Sequence, residues 1–245
     1  MAQRSGSSTT PDALTHGSYH DLADEYYDAE RHPTCANFRE GSLLLVERWV
    51  GDGEIAAPRW DIGAGDSVLA EVLAARGVPL EGTTALDESP SMLAHSQKWT
   101  SRSLRLVVGD AESIPAEDGS ASLVVASLGD PYNTDEWWAE AARVLAPGGV
   151  CLFTTPTHEW AESFRDGATR DVAEFELADG RKILVPSLVR SPEEQVRQIE
   201  QAGLRVDAVE QVTRDDLGRH PPSPKLDVLA DDDAPVVRGY RVVRP

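Results

Sequence analysis

Three aspartates recur along the chain, each at or close to the end of an apolar stretch. Asp61 opens the sequence Asp-Ile-Gly-Ala-Gly, in which Gly63 and Gly65 allow the backbone to turn sharply and to approach a ligand closely. Asp87 and Asp110 follow the next two apolar stretches, and an ionised carboxylate is a good acceptor for paired ribose hydroxyls. We therefore expect a nucleoside-binding site, although a solvated turn or a helix cap explains any one aspartate equally well.

The spacing of apolar residues puts these aspartates at one edge of an α/β sheet. Helices are predicted over 68–76 and 134–145, and strands over 104–108, 121–127 and 150–154. The sequence Pro147-Gly148-Gly149 predicts a helix stop and a turn. Asp87 lies 26 residues after Asp61, which is the distance of one strand-helix-strand unit. Because ligands bind at the carboxyl ends of parallel strands, all three aspartates are expected to open onto one crevice.

With these elements in place, the chain resembles the class I S-adenosylmethionine-dependent methyltransferases, in the broad group that acts on small molecules. Five blocks carry the resemblance in the family's order, at 61–65, 85–93, 109–115, 123–127 and 143–149. The resemblance covers about residues 55–157. One departure is Ser67, which stands where many members have a third glycine.

The resemblance implies S-adenosylmethionine as the cofactor and S-adenosylhomocysteine as its product. Asp87 would hold the ribose hydroxyls, Asp110 would accept a hydrogen bond from the adenine amino group, and Met92 would flank the adenine ring. The cofactor-binding residues expected on this basis are Tyr19, Asp61, Gly63, Ala64, Gly65, Asp87, Glu88, Met92, Asp110, Ala111, Ser127 and Leu128.

The sequence indicates less clearly which residues would bind the methyl acceptor or act on it. Methyl transfer is an in-line displacement, so that positioning supplies much of the acceleration and a base is needed only for an acceptor that starts protonated. His158 is the first candidate base and His32 the second, while Asp130 or Glu159 would hold the cation of an amine. The expected catalytic residues are His158, Tyr132 and Asp130, and the expected substrate-binding residues are Tyr27, His32, Arg39, Asn133 and Trp160. No metal is expected, because Cys35 and Cys151 lack metal-ligand spacing.

The resemblance also implies the fold class: an α/β, Rossmann-like, seven-stranded and mostly parallel sheet with helices on both faces and an antiparallel last strand. Residues 1–10 are expected to form a disordered tail and 11–245 a single methyltransferase domain. Its expected parts are an N-terminal helical lid (11–50), a cofactor-binding core (55–157), a substrate-lid insertion after strand five (158–190), and a C-terminal helix and strands (191–245).

Local patterns outside the five blocks give further expectations. Large rings at helical spacing predict a helix over 19–30, and the insertion contains a predicted β-hairpin with strands at 172–177 and 182–185. Nearer the carboxyl terminus we expect a capped helix over 191–202, strands over 204–212 and 236–243, and a surface loop over 215–234.

Composition limits the class of substrate. The formal net charge of −19 repels a phosphate backbone, so we expect no nucleic acid partner. With 245 residues, two cysteines, no apolar run of membrane length and no signal-like amino terminus, the expectation is a cytoplasmic monomer or homodimer without membrane contact.

The prediction from the sequence is therefore methyl transfer to a nitrogen or oxygen of a small organic molecule, plausibly in specialised metabolism. A dinucleotide dehydrogenase is disfavoured, because Val68 stands where its third fingerprint glycine would be. A protein or RNA methyltransferase and a non-catalytic S-adenosylmethionine- or S-adenosylhomocysteine-binding protein stay open as alternatives.

Overall fold

The structure is a computed structural model that describes residues 15–50, 56–165, 167, 170–229, 231 and 233–245. The predicted tail at 1–10 and the first residues of the predicted domain lie outside this part of the chain. In the described residues, no helix combines the length and the apolar character needed to cross a membrane.

Strands and helices alternate through the central part of the chain. The strands are β1 (Thr15–His16), β2 (Arg59–Ile62), β3 (Thr83–Asp87), β4 (Arg105–Val108), β5 (Ala121–Ala126), β6 (Leu145–Pro156), β7 (Val172–Glu176), β8 (Lys182–Pro186), β9 (Arg205–Thr213) and β10 (Pro235–Val243). The α-helices are α1 (Tyr19–Leu22), α2 (Pro33–Val50), α3 (Val68–Ala75), α4 (Pro90–Leu93), α5 (Asp135–Val144), α6 (His158–Glu162) and α7 (Pro192–Gln201).

Seven strands form the main sheet in the order β4-β3-β2-β5-β6-β10-β9. Strand β10 runs antiparallel to both of its neighbours, whereas β2 to β6 pair in parallel. Helices α2 and α3 share a core with one face of the sheet, and α5 and α7 share a core with the other. The predicted fold class is therefore confirmed.

Local sequence signals explain where several elements begin. The Ser67 hydroxyl caps α3 by accepting from the Ala70 N–H at 3.0 Å, and Ser191 forms a capping box with Glu194 at the start of α7. Strand β6 begins at Leu145, five residues before the predicted strand. Its pairing with β5 shifts register between Ala121 and Leu123, so the Pro-Gly-Gly segment interrupts the strand from within.

A smaller sheet lies over the carboxyl ends of the main strands. It has the order β1-β8-β7, and β7 and β8 form the antiparallel hairpin that the sequence predicted. Its inner face packs Leu177, Ile183 and Val185 against Leu22 of α1. The β7–β8 hairpin (172–186) and the amino-terminal segment (15–27) thus pack together, and we call them the roof.

Two local predictions were wrong. The helix predicted over 19–30 is helical only at Tyr19–Leu22, because Tyr19 and Tyr26 instead pack their rings against Phe175 of β7, at 6.5 and 6.3 Å between centroids. The segment 215–234 is not simply a surface loop, because it contains a short 3-10 helix whose Leu226 is fully buried in a cluster with Phe38.

Candidate active site

A cavity of about 1150 Å³ lies between the roof and the carboxyl ends of β2, β3, β4, β5 and β6. Its lower wall comes from the loops that follow these strands, where the sequence predicted a crevice. Its upper wall comes from the amino-terminal segment, from β7 and from the residues that follow β8. Two distant parts of the chain therefore enclose one space.

The glycine turn after β2 is fixed from behind by Asp61. One oxygen of its fully buried carboxylate accepts hydrogen bonds from Ser67 Oγ at 2.6 Å and from the Leu69 N–H at 3.1 Å. Burial raises the pKa of Asp61 to about 7. Gly63 and Gly65 have φ values of +58° and +44°, which favour glycine. Asp61 thus holds the turn against α3, whereas Gly63 and Ala64 line the cavity.

Asp87 joins the end of β3 to this turn. Its Oδ2 accepts from the Gly65 N–H at 2.9 Å, and its Oδ1 accepts from the Ser89 N–H at 2.8 Å. The carboxylate is only 8 % exposed yet lines the cavity, and burial raises its pKa. Each oxygen keeps a second acceptor site, so a pair of ribose hydroxyls fits here. The neighbouring Glu88 also lines the cavity.

The wall for a planar base lies between α4 and the end of β4. Met92 and Ala111 are buried side chains of the cavity wall, and Leu86 of β3 lies beside them. Asp110 is exposed, and its Oδ1 accepts from the Glu112 N–H at 2.8 Å, which sets the loop conformation. This pairing of apolar surface with a hydrogen-bonding loop suits an adenine ring.

The residues after β5 are held by two neighbouring elements. Ser127 Oγ and Ser42 Oγ of α2 are 2.6 Å apart, and the Leu128 N–H donates to Thr154 Oγ1 at 2.9 Å. Leu128 has a φ of +52°, a strained value for a leucine. Ser127 and Leu128 both line the cavity, as the cofactor prediction requires.

Two tyrosines cover the glycine turn. The Tyr27 hydroxyl accepts from the Asp66 N–H at 2.7 Å and lies directly over Gly65. The Tyr132 hydroxyl donates to the Ile62 carbonyl at 2.6 Å, and its ring lies over Gly63. Tyr27, predicted to bind substrate, therefore lies on the glycine-turn side of the cavity, and the Tyr132 hydroxyl is engaged by the backbone.

Asp130 follows β5 in the chain and also lines the cavity. It is 5 % exposed, and its Oδ2 accepts from Ser187 Oγ at 2.5 Å. Ser187 Oγ in turn accepts from Arg165 at 2.7 Å. Burial raises the pKa of Asp130 to about 6, and the nearby Arg165 charge opposes that rise. Tyr19 lines the same region, and its burial raises the pKa of its phenol, so the phenol stays protonated.

Three further predicted residues line the cavity, and each contacts another group of the protein. His32 lies with its Nε2 at 3.5 Å from Glu25 Oε2 and its ring edge against Phe175. Arg39 pairs with Glu71 at 2.9 Å. The Trp160 indole donates to the Lys225 carbonyl at 2.9 Å.

Three predicted residues lie elsewhere. His158 is not among the residues described as lining the cavity, and its Nε2 is 3.1 Å from Glu162 Oε1 on the same helix. Asn133 is fully buried in a network in which it donates to the Leu188 carbonyl and accepts from the Trp138 indole. Glu159 pairs with Arg238 at 2.7 Å. The predicted amine-binding role is therefore left to Asp130.

Several cavity residues had not been predicted from the sequence. They are His20, Cys35, Phe38, Phe175, Ser187 and Lys225. Phe175 had a weak signal, since it lies within the predicted hairpin. Ser187 had no signal in the sequence, because its role depends on a hydrogen bond to Asp130 that only the folded chain forms.

The sheet order, the glycine turn and the carboxylate at the end of β3 define the class I S-adenosylmethionine-dependent methyltransferase fold, and the resemblance seen in the sequence is confirmed. Residues 60–153 match a family model described as "Methyltransferase domain".

Comparison with known proteins gives the same class. The chain is 34% identical over 126 residues to the malonyl-[acyl-carrier protein] O-methyltransferase of Methylococcus capsulatus, covering 46% of each chain. It is 37% identical over 103 residues to the demethylmenaquinone methyltransferase of Mycolicibacterium gilvum, covering 40% of this chain and 42% of that one. The chain thus spans about half the length of the curated relatives it matches.

The likeness of fold extends over nearly the whole chain. A solved S-adenosylmethionine-dependent methyltransferase from Clostridium acetobutylicum aligns with a TM-score of 0.60 at 14% identity, covering 92% of this chain and 98% of that chain. At this identity the likeness concerns the fold alone.

Proposed function

We propose that this chain binds S-adenosylmethionine in the cavity and transfers its methyl group to a nitrogen or oxygen of a small organic acceptor. The observation that carries the proposal is the Asp87 carboxylate, which joins the glycine turn to the Ser89 backbone and still faces the cavity. The bound cofactor would supply an electrophilic methyl group on a sulfonium.

The cavity offers room for both reactants. Pockets for drug-sized ligands are usually about 300–1,000 Å³. A space of about 1150 Å³ therefore accommodates a nucleoside cofactor together with a small acceptor. On this proposal residues 55–157 bind the cofactor, 11–50 and 158–190 form the lid, and Ser127 and Leu128 lie near the methyl group.

The charges of the cavity favour a cationic cofactor. Eight of its described residues are acidic: Asp66, Asp87, Glu88, Asp110, Glu112, Asp130, Glu174 and Glu176. A cleft lined by one sign of charge raises the local concentration of ligands of the opposite sign. The sulfonium is such a ligand, whereas an acidic carrier protein or a nucleic acid would be repelled by this surface and by the net charge of −19.

The relatives carry different acceptors, one of them a malonyl-[acyl-carrier protein] and one a demethylmenaquinone. For this chain we propose a free small molecule, because the roof encloses the acceptor side with aromatic side chains. Action in the cytoplasm, within specialised metabolism, belongs to the same proposal, and the free state of Cys35 and Cys151 supports a reducing compartment.

The test is turnover on a panel of acceptors. The protein is incubated with S-adenosylmethionine and, separately, with small amines, phenols, carboxylic acids, malonyl-acyl carrier protein and bulk RNA, and S-adenosylhomocysteine is quantified by liquid chromatography. We expect release with a small amine or phenol, and loss of release in Asp87→Ala. Release with the carrier protein or RNA alone would overturn the small-molecule assignment. Cofactor binding without any release would identify a non-catalytic binder.

A further inference from the structure

Asp130 presents a buried carboxylate to the cavity. A buried ionised carboxylate is costly unless hydrogen bonds and a cation compensate for the lost water. Ser187 supplies one hydrogen bond at 2.5 Å, and Arg165 reaches Ser187 rather than the carboxylate itself. The Arg165 charge favours the ionised form of Asp130 without a direct ion pair, and Asp130 still lines the cavity.

Aromatic rings form the wall beside this carboxylate. The rings of Tyr19 and Tyr26 are 5.8 Å apart between centroids, and both contact Phe175 of β7 in tilted or edge-on geometry. All three line the cavity, and the charge of Asp130 acts on the Tyr19 phenol. Ring faces attract cations, and most strongly where water is excluded. Carboxylate and rings together suit an organic ammonium group.

Two of the three described arginine and lysine side chains of the cavity are already paired with carboxylates, which disfavours an anionic acceptor. Of its described residues, Arg31, Arg39 and Lys225 carry a permanent positive charge. Arg31 is held by Glu25 at 2.7 Å and Arg39 by Glu71 at 2.9 Å, whereas Lys225 is exposed. A bound carboxylate would meet guanidinium groups that are already neutralised.

We propose that the methyl acceptor is a small amine with an aromatic ring, whose ammonium group binds against Asp130 and whose ring packs on Tyr19, Tyr26 and Phe175. This assignment rests on the methyl transfer proposed above and names the class of its acceptor. It departs from the acceptor in the name of the Methylococcus relative, a malonyl group on a carrier protein.

The same contact gives Asp130 a role in the chemistry. An ammonium nitrogen has no free electron pair, so one N–H proton must first pass to the Asp130 carboxylate. The nitrogen lone pair then forms the new bond to the methyl carbon while the carbon–sulfur bond breaks, and its electron pair returns to sulfur. The products are an N-methylammonium and a neutral thioether, and Asp130 later releases its proton to solvent. The raised pKa of Asp130, about 6, lowers the cost of taking a proton from the ammonium and still allows its release near neutral pH.

The first experiment compares three probes of equal size that differ in the charge of the head group. They are 2-phenylethylamine, 2-phenylethanol and phenylacetate, titrated calorimetrically into the protein with and without saturating S-adenosylhomocysteine. We expect the amine to bind about ten- to hundredfold more tightly than the alcohol, as one charge-assisted hydrogen bond provides. Equal or tighter binding of the alcohol or the acid, or no binding of the amine, would overturn the proposal.

The second experiment repeats the titrations on Asp130→Asn and on the control variant Glu117→Gln, which alters an exposed carboxylate that does not line the cavity. We expect Asp130→Asn to lose the preference for the amine and to keep its affinity for S-adenosylhomocysteine, and Glu117→Gln to keep both. An unchanged preference in Asp130→Asn would contradict the assignment. Because the probe comparison needs no variant, it decides the matter even if Asp130→Asn fails to fold.

The outcomes separate this proposal from the function on which it rests. Amine selectivity without binding of S-adenosylhomocysteine would refute the methyltransferase function and leave Asp130 as an amine site. Binding of S-adenosylhomocysteine without amine selectivity would refute the acceptor class alone.

Discussion

The contact between Tyr27 and Gly65 provides a quantitative test of how the roof meets the glycine turn. A methyl group at Gly65 would collide with the Tyr27 hydroxyl, and Gly65 has a φ of +44°. The left-handed backbone costs a non-glycine residue about 1–2 kcal/mol. Displacing a packed phenol and its hydrogen bond adds about 2–3 kcal/mol. Gly65→Ala should therefore lower the free energy of unfolding by about 3–5 kcal/mol.

Two variants separate these contributions. Gly77 has a φ of +72°, and no atom of the described residues lies within 4 Å of a Cβ placed there. Gly77→Ala should thus cost only the backbone share, about 1–2 kcal/mol. Tyr27→Phe removes the colliding oxygen, so that Gly65→Ala in this background should also cost about 1–2 kcal/mol.

The assay is equilibrium urea unfolding of the parent, the three single variants and the double variant, with the coupling energy taken from the cycle. We expect a coupling of about 2 kcal/mol between positions 27 and 65. A coupling near zero would show that the Tyr27 hydroxyl does not lie over the glycine turn, and would refute this description of the roof.

Three further predictions follow from the same geometry. His158→Ala should leave kcat/KM within about twofold of the parent value in the turnover assay, because the His158 ring pairs with Glu162 away from the cavity. A loss of kcat/KM of about a hundredfold would show instead that His158 acts as the base. Asn133→Ala should lower the free energy of unfolding by about 2–4 kcal/mol, measured by urea unfolding, because it leaves the buried Trp138 indole N–H without its acceptor. A cost below about 1 kcal/mol would contradict this prediction. The pKa of Asp130 is about 6 in the folded state and 3.8 in the unfolded chain, so its contribution to stability is present below pH 4 and is lost as the pH rises through 6. Asp130→Asn should therefore remove about 2–3 kcal/mol of this loss of stability with rising pH. An unchanged pH profile of urea unfolding in the variant would refute the prediction.

The core of the fold could be predicted because its signals are local. The Gly63 and Gly65 turn, the 26-residue step to Asp87 and the capped helix after Ser191 each depend on neighbours close in sequence. The hairpin of β7 and β8 was predicted for the same reason. Each of these elements carries its own start, stop or turn residues.

The roof could not be predicted in the same way. Tyr19 and Tyr26 have helical spacing, yet Phe175, about 150 residues later, draws their rings into a different backbone path. Ser223 and Leu226 look like parts of a polar loop until Asn37 and Phe38 of α2 cover them. The hydrogen bond between Asp130 and Ser187 likewise depends on tertiary packing, which cannot be predicted from a single sequence.

The most direct test of the central claim is the affinity for the cofactor product. S-adenosylhomocysteine is titrated calorimetrically into the parent, into Asp87→Asn, and into Glu117→Gln, an exposed carboxylate that does not line the cavity. The proposed cofactor site predicts saturable binding to the parent and to Glu117→Gln, and binding weakened about ten- to hundredfold in Asp87→Asn. Equal affinity in all three proteins, or no binding to a folded parent, would contradict it.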